Sequence, residues 1–166
     1  ILILTASIVI SITAHAHTSS ASENTTYLEW HNNCLKGDTK IIDAQIEKFE
    51  SRLSRNPSDR LAQAYLGSAY ALRAKHSSWA LTKLKFLNKG KATMDTAVES
   101  SPNDPRVSMV RAIAYYKVPK FLNCRPTSIA DFKRIAPIAV KEPSPLETAE
   151  RQAILYYAYL AYKEEG

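Results

Sequence analysis

Residues 56–70 read NPSDRLAQAYLGSAY, and residues 101–115 read SPNDPRVSMVRAIAY. Pro57 and Pro102 lie 45 residues apart, as do Asp59 and Asp104. The same offset pairs Phe49 with Met94, Leu53 with Val98, Ala69 with Ala114 and Tyr70 with Tyr115. Gly67 falls on Ala112, a small residue where two helices would cross closely. Matches on both sides of a Pro-Asp joint indicate a repeated helix pair. One such pair cannot bury its apolar face alone, and stacking neighbours makes the core continuous.

The segments around this repeat carry helical signals too. Asp38 is placed to cap a helix through Ile41, Ile42, Ile46, Phe49 and Leu53, whose spacings near three and four put them on one face. A long helix is expected from about Ala80 to Ser100, with Leu84, Leu87, Met94 and Val98 on one side. Pro105 suits the first turn of the helix after it. Ser144-Pro145-Leu146-Glu147 reads as a capping box that opens a final helix to about Lys163. No stretch alternates as a strand would. The chain has 166 residues, 45% of them hydrophobic and 23% charged, enough for one ordinary core. Its 4 glycines form no G-x-G, which excludes dinucleotide and phosphate loops of that type. The expected fold is all-α over residues 38–166.

Leu66-Gly67-x-x-Tyr70, with Ala97 and Pro102 further on, resembles the tetratricopeptide (TPR) pattern. The resemblance covers roughly residues 40–142, and the last helix would begin a third unit. It implies antiparallel helix pairs stacked as a short right-handed solenoid. The chain departs from the pattern in having Gln63 and Ser108 where the family has Trp, and Arg111 where it has Leu. Its period of 45 also exceeds the family's repeat of about 34. It is similar to exported bacterial members with elongated second helices. A protein or peptide partner is what the resemblance implies.

The N-terminus reads differently. Ile1–Ile12 is the apolar run ILILTASIVISI, Ala14-His15-Ala16 follows, and no charged residue precedes Glu23. This predicts a signal peptide over residues 1–16, cleaved on export, then a partly helical segment over 17–37. An uncleaved anchor is the alternative, although the visible run falls short of the ~20 residues needed to span a bilayer. Export to the periplasm or outside follows, with membrane association as a variant. In an oxidising compartment Cys34 and Cys124 are open to two readings, a disulfide or two separate buried thiols.

Catalytic signals are missing. His31 and His76 have no triad or zinc partner at a recognisable spacing and read as solvated or capping residues. Glu47 and Glu50, like Glu147 and Glu150, share a helical face but lack the Glu-x-x-His partner of helical metal sites. No catalytic, cofactor or metal residue is expected.

Charge and aromatics carry the remaining signal. Arg73, Lys75, Lys83, Lys85, Lys89 and Lys91 contribute +6, the net charge of the whole chain, with no acidic residue among them. Lys85 and Lys89 fall opposite Leu84, Leu87 and Met94, toward solvent. The cluster suits an anionic surface, either lipid headgroups or an acidic partner. Nucleic acid is not expected, because an exported protein rarely meets it. Ala153–Tyr162 is apolar or aromatic throughout, which leaves Tyr156, Tyr159 and Tyr162 as candidate contacts for a partner or for self-association. The leading reading is an exported, non-catalytic adaptor for a protein or peptide. A membrane-associated subunit using residues 73–91 and a small-ligand binder with a tyrosine-lined groove are the alternatives.

Overall fold

A computed structural model describes residues 10–165, with side chains from residue 22 onward. The first part of the expected signal peptide, residues 1–9, lies outside the described residues. The helices are α1 (Ile10–Cys34), α2 (Thr39–Arg55), α3 (Arg60–Lys75), α4 (Ala80–Ser100), α5 (Pro105–Lys117), α6 (Arg125–Val140) and α7 (Thr148–Lys163). A 3-10 turn, Lys120–Leu122, links α5 to α6. Among the described residues there is no strand. The protein is all-α.

Three aspartates start three of these helices, each by accepting from an otherwise unpaired first-turn N–H. Asp38 accepts from Lys40 N at 2.8 Å, Asp59 from Ala62 N at 2.9 Å and Asp104 from Arg106 N at 2.9 Å. The Asp59 cap also ties helices together, since its carboxylate accepts from Tyr27 Oη at 2.6 Å and Arg52 Nε at 2.8 Å. The final helix starts later than the Ser-Pro-Leu-Glu pattern predicts. Its capping box is Glu147 with Glu150, and Ser144 instead closes a turn ahead of it by accepting from Leu146 N.

The helices alternate between two rows. In one row α1 packs on α3, α3 on α5 and α5 on α7. In the other, α2 bridges α1 and α3, α4 bridges α3 and α5, and α6 bridges α5 and α7. Tyr27 and Cys34 of α1 are buried in the same core as Ile42, Phe49 and Tyr65, so the packed body begins ahead of Asp38.

Gly67 marks a close crossing of α3 and α4. A Cβ there would lie 2.8 Å from the Gly90 carbonyl and 2.5 Å from Met94 Cγ, while one at Gly90 would lie 2.6 Å from the Gly67 carbonyl. Two facing glycines let the backbones of α3 and α4 touch. The 45-residue repeat extends to polar ties as well. Tyr70 Oη donates to Glu50, and Tyr115 Oη donates to Asp95 at 2.7 Å, both pairs related by the same offset.

The cysteines resolve to the second of their two readings. Cys34 and Cys124 are free thiols, both buried. The expected alternative of a Cys34–Cys124 disulfide is therefore corrected. Cys34 packs with Tyr27 and Phe49, whereas Cys124 sits in a separate cluster with Met94, Tyr115 and Val118. Each Sγ donates to a carbonyl of its own segment, Trp30 for Cys34 and Leu122 for Cys124. Burial pushes the Cys34 thiol up to about 11 and raises Cys124 too, so neither presents a thiolate at neutral pH.

Candidate functional site

α1, α3, α5 and α7 pack in succession, and residues of all four line a groove of about 760 Å³. Tyr65 and Ser68 of α3 and Met109 and Val110 of α5 form its buried floor. Leu28 of α1, Leu35 of the turn after it, Leu72 of α3 and Ile113 of α5 supply aliphatic walls. α4, with 21 residues, is longer than its 16-residue partner α3, and it adds Leu84 and Leu87. Phe121 and Leu122 of the 3-10 turn complete that side. Leu84 and Phe121 remain 53% and 85% exposed, so the groove opens to solvent along this edge. The neighbouring Trp79 and Leu81, at the start of α4, are 80% and 83% exposed.

Three lysines line the groove, Lys75 from α3, Lys83 from α4 and Lys117 from α5. All three are exposed, and no carboxylate among the described residues lies within ion-pair distance of any of them. Lys117 also stands over the Tyr157 ring at 5.0 Å. The groove has one carboxylate among the described residues, Glu150 of α7, and it is already engaged. It accepts from Asn24 Nδ2 at 2.9 Å, from Arg106 Nε at 3.0 Å and from its own cap, Glu147 N, at 2.8 Å. This network ties α1, α5 and α7 together at one end.

His31 is not the solvated or capping residue expected from sequence. It lines the groove with its ring centroid 5.5 Å from that of Tyr65. Burial, with the charge of Lys117 adding to it, pulls its pKa down from 6.5 to about 4. The imidazole is therefore neutral at physiological pH, and its Nδ1 is buried without a hydrogen-bond partner.

The six basic residues of 73–91 are divided by the fold. Lys75 and Lys83 reach the groove, and Lys85 is exposed beyond its lining. Arg73 is spent inside the protein, pairing with Asp43 at 2.7 Å and lying over the Phe86 ring at 5.1 Å. Lys89 stands 4.1 Å from the Tyr70 ring centroid and 3.4 Å from Glu50, and Lys91 is half-buried beside the Cys124 thiol. Lys117, distant in sequence from the basic run, completes the lysine group and carries no sequence signal of its own. Tyr156, Tyr159 and Tyr162 lie outside the groove on the exposed side of α7, whose opposite side buries Ile154, Ala158 and Ala161. Tyr65 is the one tyrosine in the lining among the described residues, so the groove is aliphatic rather than tyrosine-lined.

Among the described residues no group of three His, Cys, Asp or Glu side chains is arranged to hold a metal ion. No described helix is long and apolar enough to cross a membrane. Comparison with known protein families, with curated proteins and with solved structures returns no match.

Proposed function

We propose that this chain is a non-catalytic, exported TPR-like protein, its helix pairs stacked as a short solenoid, that binds an elongated apolar ligand in the groove between its inner helices. The groove itself carries the reading. Its 760 Å³ falls within the range of small-molecule sites, which are mostly apolar with a few placed polar groups. The two alternating rows of helices support the solenoid, since stacked pairs present one row as a continuous inner surface. The apolar leader Ile1–Ile12 supports export. Of the three readings open from sequence, the aliphatic lining favours a small ligand over a protein surface, where aromatic and arginine anchors dominate.

An uncharged fluorescent apolar probe, N-phenyl-1-naphthylamine, tests this. Its emission is expected to rise on binding and to be lost in Leu35→Asp and Leu84→Asp, which place a charge on exposed groove walls without touching the core. Absence of binding, or undiminished binding by both variants, overturns the reading.

A further inference from the structure

The charge around the groove is one-sided, and this narrows the ligand. A purely apolar ligand would leave the charges of Lys75, Lys83 and Lys117 without a counter-charge, and a cationic one would meet three like charges. The opposing carboxylate is not available, because Glu150 is held by Arg106, Asn24 and the Glu147 N–H. His31 adds no positive charge, being neutral at physiological pH, but it leaves an unmet polar atom close to Lys117. A ligand matching this surface has an alkyl chain for the aliphatic floor and an anionic head for the lysines.

We propose that the groove binds a long-chain fatty acid anion, its acyl chain over Tyr65, Met109 and Val110 and its carboxylate among Lys75, Lys83 and Lys117. This rests on the groove being a ligand site at all. Ammonium groups at the edge of an apolar groove form charge-assisted hydrogen bonds with a carboxylate, stronger than those between neutral groups. The lysines can make them, since no carboxylate among the described residues pairs with their ammonium groups. The head therefore sets orientation and the chain supplies burial, a division common to sites for amphiphiles.

Displacement of N-phenyl-1-naphthylamine from the delipidated full chain by matched amphiphiles separates the two claims. Hexadecanoate is expected to compete about tenfold more strongly than hexadecanol, the gain expected of a hydrogen bond to a charged group. Raising the salt concentration should narrow that gap. In the triple variant Lys75→Gln, Lys83→Gln, Lys117→Gln the acid and the alcohol should compete equally. These lysines are exposed and form no ion pair, so the variant's thermal unfolding should stay close to the parent's, lowered only by loss of the Lys117–Tyr157 ring contact. Equal competition in the parent, or a preference that survives in the triple variant, overturns the anionic head and leaves the apolar groove standing. Failure of every amphiphile, together with failure of the probe, overturns both. Two other results also overturn the fatty acid. One is stronger competition by lysophosphatidate, which assigns the lysines to a phosphate. The other is displacement by the peptide ILILTASIVISI with none by hexadecanoate, which assigns the groove to the chain's own N-terminal segment.

Discussion

At the scale of single residues, His31 shows how the fold alters chemistry that the sequence displays plainly. Its near neighbours Glu29 and Asn32 are polar, yet α1 turns the imidazole toward Tyr65 and into the groove. The resulting pKa of about 4, against 6.5 in a free side chain, makes a stability prediction. Between those values the unfolded chain binds a proton that the folded chain refuses. The stability present above about pH 6.5 is therefore lost as pH falls toward 4. Between pH 7 and pH 4.5 this one residue should cost about 2 kcal/mol. His31→Leu removes the titration and keeps the volume apolar. Urea unfolding at the two pH values should show a smaller loss for the variant than for the parent. An equal loss would assign the acid sensitivity to other groups.

At the scale of elements, legibility follows local pattern. α4 is readable from Leu84, Leu87, Met94 and Val98, and α3 and α5 from the Pro-Asp joints that cap them. α6 raises no specific expectation because Pro126 and Pro137 punctuate its sequence. Pro126 sits in the first turn, where no N–H is needed, and Pro137 sits at an exposed position in the last turn. The polar ties Tyr70–Glu50 and Tyr115–Asp95 follow the repeat but escape a reading of the sequence, because a carboxylate some twenty residues ahead of a tyrosine has no periodic signature. The α3–α4 crossing is half legible, through Gly67 but not Gly90. Gly67→Ala tests that crossing. Helix propensity alone would favour Ala by up to ~1 kcal/mol. Here the new methyl meets the Gly90 carbonyl at 2.8 Å, and backbone cannot rotate aside as a side chain can. The expected net effect is destabilisation by about 1–3 kcal/mol in chemical denaturation. A neutral or stabilising result would mean that the helices can part without loss.

At the scale of the whole molecule, the groove depends on contacts that no single pair of helices contains. The lysines come from three helices and the Glu150 network from three, and only the packing of these helices brings each set together. This is why the candidate site is poorly legible. The run from Arg73 to Lys91 is continuous in sequence, whereas the fold disperses it and recruits Lys117 from α5. Long-range assembly of this kind makes Arg106 the most revealing position. Its guanidinium donates to Glu150 at 3.0 Å and to the Pro145 carbonyl at 2.8 Å, so it pins α7 and the segment before it onto α5. The Glu150 side chain is only 9% exposed, against 25% for Arg106, so Arg106→Met strands a carboxylate in a largely dry place. Removing one partner of such a pair costs about 3 kcal/mol, mostly because the remaining charge is left uncompensated. Replacing both, as Arg106→Met with Glu150→Gln, should restore much of the loss, since a glutamine side chain there keeps the contact with Asn24 of α1 without the charge. Urea unfolding of the single and double variants provides the comparison, and hydrogen exchange along α7 locates the change. If the double variant is no more stable than Arg106→Met alone, the stranded charge is not the cause, and the lost packing of the arginine stem against α7 is.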